Sequence, residues 1–154
     1  MIEDTLTNLR KFTLCHHQTI VLCLGCFDLL HPGHLRHFQA AKSMGDVLLV
    51  AVTSDRYINK GPGRPIFGED LRVEMVGVLW CVKYAFVNDY PTGVEVIRML
   101  KPDIFVKGQE LEKGEDPTGR FQKEVAAAKE VGCKVRFTHE IVFSSTKLLK
   151  KLTE

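Results

Sequence analysis

Two histidines three positions apart, His31 and His34, sit where an apolar run gives way to a helical pattern. Ile20-Val21-Leu22-Cys23-Leu24 reads as a strand, Gly25-Cys26-Phe27-Asp28-Leu29-Leu30 as a tight turn, and the residues from about Gly33 onward as a helix. Unpaired N–H groups and the macrodipole at a helix start favour an anion. Gly33 has no side chain to hold a phosphate away from the backbone. Two imidazoles can donate hydrogen bonds to phosphoryl oxygens and stabilise charge that grows as a phosphoanhydride bond breaks. The same stretch admits a second chemistry, since Cys23, Cys26, His31 and His34 together have the ligand types of a zinc site. A redox Cys-x-x-Cys fits less well, because such cysteines open a helix and these close a strand.

The elements that must hold this turn alternate along the chain. Strands are expected at Thr19 to Leu24, Asp46 to Thr53, Tyr84 to Asn88, Asp103 to Val106 and Lys134 to Thr138. Helices are expected at Gly33 to Met44, Glu69 to Trp80, Thr92 to Leu100, Phe121 to Val131 and Ser144 to Leu152. A further weak helix, Ile2 to Lys11, lies within an N-terminal extension, residues 1–18, and is broken at Cys15-His16-His17-Gln18. Ser54-Asp55 caps a short helical turn through Tyr57, Lys60 to Pro65 is a loop, and Gln109 to Thr118 is a polar, mobile loop. The pattern predicts an α/β fold: a doubly wound five-stranded parallel sheet with helices on both faces. Ligands in such sheets bind at the carboxyl ends of the strands. Each polar cluster follows a strand: Asp28 to His34, Ser54 to Arg64, Lys107 to Glu110, and Ser144 to Thr146.

Composition narrows the classes. A chain of 154 residues with 45% hydrophobic and 26% charged residues is read as one globular domain, residues 1–154, with its core at about 19–150. A net charge of +2 is too small to argue for a nucleic-acid or membrane partner, and neither is expected. No apolar run is long enough for a membrane span, and the N-terminus, with Glu3 and Asp4, lacks a signal-peptide pattern. Five scattered cysteines suit reduced thiols and a cytoplasmic location. There is no repeat, low-complexity tract or linker. His16-His17, His37 and His139 read as surface or peripheral residues, and Trp80 with the Met75 to Leu79 face as core or subunit contact.

Gly25-Cys26-Phe27-Asp28-Leu29-Leu30-His31-Pro32-Gly33-His34 resembles the first signature of the HxGH nucleotidylyltransferase superfamily, in its cytidylyltransferase-like branch. The resemblance continues through Gly45-Asp46, Val52-Thr53-Ser54-Asp55, Lys60, Gly63-Arg64-Pro65, Arg72, Lys101-Pro102-Asp103, Val106-Lys107-Gly108 and Ser144-Ser145-Thr146-Lys147. It covers about residues 19–150. It implies a Rossmann-like fold and in-line transfer of a nucleoside monophosphate from a triphosphate to a phosphorylated acceptor, with pyrophosphate leaving.

Carried over by position, His31, His34 and Lys60 would be catalytic. Gly25, Cys26, Phe27, Asp28, Gly33, Lys107, Gly108, Ser144, Ser145 and Thr146 would serve the nucleotide, with Asp28 mainly orienting the first loop. Asp55, Arg64 and Arg72 would serve the acceptor. The resemblance also implies Mg²⁺ bridging the phosphates without a dedicated protein cage, and a homodimer.

Branch members that use CTP and glycerol phosphate carry an Arg-Thr-x-Gly-Ile-Ser-Thr-Thr second signature. This chain has His139-Glu140-Ile141-Val142-Phe143-Ser144-Ser145-Thr146 there, without the arginine. Gly63-Arg64-Pro65 and Lys107-Gly108 are instead similar to the adenylyltransferase domain of ADP-heptose synthases, which favours ATP and a sugar 1-phosphate. In that subgroup the domain is often fused to a ribokinase-type sugar kinase, and no kinase domain is present in this chain. CTP with glycerol 3-phosphate is the competing substrate pair. A catalytically silent nucleotide-binding module is the competing function, against which the retention of both histidines and Lys60 speaks.

Overall fold

A computed structural model describes residues 1–154. Five parallel strands, β1 (Ile20–Gly25), β2 (Val47–Thr53), β3 (Tyr84–Asn88), β4 (Ile104–Gly108) and β5 (Lys134–Thr138), form one sheet in the order β3-β2-β1-β4-β5. The helices are α1 (Ile2–Cys15), α2 (Pro32–Lys42), α3 (Glu69–Gly77), α4 (Val94–Leu100), α5 (Gln109–Glu112), α6 (Arg120–Glu130) and α7 (Ser145–Thr153), with a short 3₁₀ turn at Asp55–Tyr57. The expected doubly wound sheet is present. β1 and β2 read as unbroken apolar runs because they lie inside the sheet and are covered on both faces. β5 is an edge strand, and its Lys134-Val135-Arg136 alternates accordingly.

Two apolar clusters sandwich the sheet. Leu22, Leu49, Phe86 and Phe105 pack on one face with Leu6 of α1, Ile97 and Leu100 of α4 and Ala127 and Ala128 of α6. Cys23, Val50, Val52 and Val106 pack on the other with Phe38 and Ala41 of α2 and Val76 of α3. The N-terminal segment is thereby part of the core. α1 runs four residues beyond the expected Lys11, buries Leu6 and Thr13, and pairs Arg10 with Asp103 at 3.0 Å.

Two further elements differ from expectation. α3 ends at Gly77 and not at Trp80, since Val78, at 78% exposure, and Trp80, at 80%, have no apolar face to cover. The polar stretch after β4 begins with a one-turn helix, α5, whose Gln109 Nε2 donates to the Glu140 carbonyl at 3.1 Å.

The strand order reverses between β1 and β4. Their carboxyl ends, Gly25 and Gly108, thus open a crevice that no crossover helix covers.

Candidate active site

His31 is the N-cap of α2, and Pro32 occupies the first helical position, where a missing N–H costs nothing. The two histidines cap each other. The His34 N–H donates to His31 Nδ1 and the His31 N–H donates to His34 Nδ1, each at 3.3 Å, and the rings stack with centroids 3.6 Å apart. With both Nδ1 atoms accepting, each neutral ring carries its proton on Nε2. Two N–H donors therefore face a cavity of about 230 Å³, which Lys60, Lys107, Gly25 and Phe27 also line.

Burial holds both imidazoles neutral. It lowers His31 below its ordinary value, helped by nearby Lys60, and lowers His34 to about 3, where the charges of His31, His37 and Lys60 add to the effect. Phe27 closes the floor, edge-on to His34 at 5.2 Å. That placement needs Gly25, because a Cβ there would stand 2.8 Å from the Phe27 ring.

Gly33 has a different use from the one its position suggested. A Cβ at Gly33 would meet the Ile141 carbonyl oxygen at 2.8 Å and the His31 ring at 3.1 Å. The glycine admits the strap of residues 139–143, not only a ligand. Glu140, Ile141, Val142 and Phe143 of that strap form one wall of the cavity, and Phe143 lies 5.6 Å from the His31 ring.

Several expected ligand groups turn out to hold the site together. Asp28 has no exposed surface, and its carboxylate accepts from the Ile66 N–H at 2.8 Å, the Phe67 N–H at 3.1 Å and Arg64 Nε at 3.1 Å. Burial pushes this carboxyl up, and the two backbone N–H groups with Arg64 more than reverse it, leaving it below its ordinary value. Arg64 also donates to the Asp28 carbonyl and to Thr146 Oγ1 at 3.2 Å, so its guanidinium ties the loop after β2 to α7.

Arg72 is fully buried. It donates to the Phe67 and Cys26 carbonyls at 2.9 and 2.7 Å and to Asp55 Oδ1 at 2.6 Å. The expected acceptor contact of Arg72 is thus replaced by a positioning role behind Cys26. Asp55 lies at a separate acidic hollow with Glu69, Asp70 and Asp89, away from the histidines.

At α7, Ser144 caps the helix through the Lys147 N–H at 3.3 Å, and buried Ser145 donates to the Leu29 carbonyl at 2.8 Å. Ser144, Ser145 and Thr146 do not line the cavity. Lys107 does line it, with its ammonium 3.3 Å from buried Glu124 and 3.4 Å from the Leu24 carbonyl.

His37, expected to be exposed or merely near the site, is part of it. It sits one turn beyond His34, lines the same cavity, and its Nδ1 lies 2.6 Å from Thr138 Oγ1 at the end of β5. Burial first, then Lys107, lowers it to about 4. The His31-His34-His37 spacing of three was the available signal. Thr138 had none, because only the sheet order brings β5 there.

The zinc arrangement does not form. Cys23 points into the core beneath the sheet, where burial raises its thiol far above the usual range, and no three His, Cys, Asp or Glu side chains converge as a metal site. All five cysteines are free, and no helix is long and apolar enough to cross a membrane.

A family model described as cytidylyltransferase-like matches residues 22–151. Bifunctional protein HldE of Helicobacter pylori is 44% identical over 115 residues, covering 73% of this chain and 25% of that protein. Bifunctional protein HldE of Gluconobacter oxydans is 47% identical over 95 residues, covering 60% and 20% respectively. The chain spans a fifth to a quarter of the length of these curated relatives.

Among solved structures, a lipopolysaccharide core biosynthesis protein from Thermoplasma volcanium superposes with a TM-score of 0.65 at 24% identity, over 82% of this chain and 99% of that one. Pantoate-beta-alanine ligase from Francisella tularensis, complexed with beta-gamma ATP and beta-alanine, gives 0.65 at 13% identity, over 96% and 70%. At these identities the likeness is one of fold. With the match over residues 22–151, the chain belongs to the cytidylyltransferase-like family.

Proposed function

We propose that the protein transfers a nucleoside monophosphate from ATP, in preference to CTP, to a sugar 1-phosphate such as a heptose phosphate, giving an NDP-sugar and pyrophosphate. The observation that carries this reading is the mutual capping of His31 and His34, which leaves two Nε2–H donors on one cavity wall beside Lys60. An acceptor phosphate oxygen forms a bond to the α-phosphorus as the bond to the β-phosphate oxygen breaks, and the electron pair leaves with pyrophosphate. His31 and His34 donate hydrogen bonds to the oxygens that gain charge, and Lys60 offsets the negative charge around them. Because His34 is neutral at pH 7, it acts as a fixed donor and needs no proton transfer.

The sugar phosphate is supported by the likeness of Gly63-Arg64-Pro65 and Lys107-Gly108 to ADP-heptose synthase domains and by the 44% identity to Bifunctional protein HldE. Mg²⁺ belongs to the same proposal. No protein cage converges on the site, but Glu110 and Glu140 line the cavity singly, which fits an ion that arrives on the triphosphate and takes at most one or two carboxylates. When bound, such an ion would neutralise phosphate charge. A cytoplasmic location suits the five free thiols, and a homodimer suits the exposed Leu71 of α3, Val78 and Trp80 of the connection after it and Tyr84 of the edge strand β3.

The test is pyrophosphate release with each nucleoside triphosphate, Mg²⁺ and a panel of phosphorylated acceptors. Turnover with ATP and a sugar 1-phosphate is expected. Turnover only with CTP and glycerol 3-phosphate would replace this reading with the competing pair, and nucleotide binding without any turnover would make the protein a silent module.

A further inference from the structure

The chemistry above uses His31 and His34 and leaves a third imidazole on the same face of α2 without a task. His37 lines the same cavity, and one of its ring nitrogens is already engaged, with Nδ1 2.6 Å from Thr138 Oγ1 at the end of β5. The other, Nε2, has no partner in the protein. The ring is only partly buried, and Nε2 is not sealed off: the buried side-chain atoms that lack a partner are Ser54 Oγ, Asn88 Oδ1 and Glu95 Oε2. A free and accessible nitrogen is therefore open to a ligand.

Position along α2 decides which part of a nucleotide it meets. The unpaired N–H groups of the helix start and the Nε2–H donors of His31 and His34 gather phosphates at one end of the cavity. His37 stands three residues beyond His34, about 4.5 Å further along the axis. Burial, then Lys107, lowers this imidazole to about 4, so it is uncharged at neutral pH. Lys107 itself is paired with buried Glu124 at 3.3 Å. A neutral ring beside a paired cation suits the uncharged nucleoside and not a phosphate, and Leu111 and Ile141 give the cavity apolar surface for a flat base.

The Thr138 contact governs what Nε2 can do. In a neutral imidazole one nitrogen donates and the other accepts, so whichever role the hydroxyl assigns to Nδ1, Nε2 keeps the opposite one. A ribose hydroxyl both donates and accepts, and a fixed tautomer would select nothing there. A base edge is different: adenine and cytosine carry an amino donor where guanine and uracil carry a carbonyl acceptor. We infer that His37 is a specificity-determining residue whose Nε2 accepts from the amino group of the nucleobase, with Thr138 holding the tautomer by accepting from Nδ1–H. The inference rests on the nucleotidyl-transfer reading above and holds for ATP and CTP alike.

Its test is titration calorimetry of all four nucleoside triphosphates with Mg²⁺ on the parent, His37→Phe and Thr138→Val, with steady-state pyrophosphate release alongside. His37→Phe keeps a flat ring without its nitrogens, and Thr138→Val keeps the shape without the hydroxyl. The preference for ATP over GTP, and for CTP over UTP, should shrink about tenfold in His37→Phe, the value of one hydrogen bond, and about threefold in Thr138→Val. In turnover the loss should fall on the nucleotide KM, about tenfold in His37→Phe, with the acceptor KM within about twofold. Nitrogen-15 spectra of the parent should place the His37 proton on Nδ1. A proton on Nε2, a parent that binds amino and oxo bases alike, or variants that lower Tm but keep the parental preference would overturn the inference and leave the function standing. Thr138→Val alone decides if His37→Phe folds poorly. A parent that binds no nucleoside triphosphate ends both.

Discussion

Replacing Asp28 with Asn isolates the group on which the first loop depends. The carboxylate is fully buried and meets three donors: Oδ2 accepts from Arg64 Nε and the Ile66 N–H, and Oδ1 from the Phe67 N–H. An asparagine amide, whichever way it is turned, sets an NH₂ against at least one of them. Arg64, whose side chain is only 6% exposed, would keep its charge and lose its counter-ion.

Breaking a buried pair from one side costs about 3–5 kcal/mol. Arg64 retains the Asp28 carbonyl and Thr146 Oγ1, which places the estimate at the lower end, about 3 kcal/mol. For a chain of this length that lowers Tm by about 10 °C. Thermal and urea unfolding followed by circular dichroism at neutral pH measure it, with Arg64→Gln and the double variant completing the cycle. The double variant should be less destabilised than the sum of the singles, because it removes the stranded charge. A Tm drop under about 3 °C, or strict additivity, would refute the account of Asp28 as the hub of this loop.

Three further outcomes follow from the same geometry. His34→Ala should lower kcat by about 100-fold or more through loss of one transition-state donor, while the lost cap moves Tm by only about 3 °C; a large Tm loss with a small kcat loss would make the histidine structural. Gly33→Ala should push Ile141 and the strap off the cavity and raise the nucleotide Kd, at a stability cost of about 1–3 kcal/mol, measured by titration calorimetry and melting; an unchanged Kd would show that the strap does not shape the pocket. His34 and His37 are lowered from 6.5 to about 3 and about 4, so the unfolded chain binds their protons first as pH falls. Their contribution is complete above about pH 6.5 and is lost as pH falls through about 4 for His37 and about 3 for His34, by about 3–5 kcal/mol each, so Tm should fall on acidification and His37→Gln should flatten part of that fall.

Much of the fold was legible because central parallel strands must be apolar on both faces. Leu22 and Val50 needed no partner to declare themselves. The histidine pair was legible because capping is local: His31 and His34 meet within one helical turn. The roles of the arginines were not. Arg64 and Arg72 carry the charge expected of phosphate ligands, yet Arg64 spends it on Asp28 and Arg72 on Asp55 and two carbonyls, over separations of 36, 17, 5 and 46 residues. Sequence spacing says nothing of which buried acceptor a guanidinium will meet. His37 was likewise decided by β5, whose Thr138 arrives only through the sheet order.

The sequence by itself determined the alternation of strands and helices, the crevice at their carboxyl ends and the chemistry of the turn from Gly25 to His34, since periodicity, turn residues and helix capping act within a few positions. Only the tertiary structure decided which charged groups are left to meet a ligand. Burial and long-range hydrogen bonding assign each carboxylate and guanidinium its partner, and those contacts exist only once the β3-β2-β1-β4-β5 sheet has brought distant segments together.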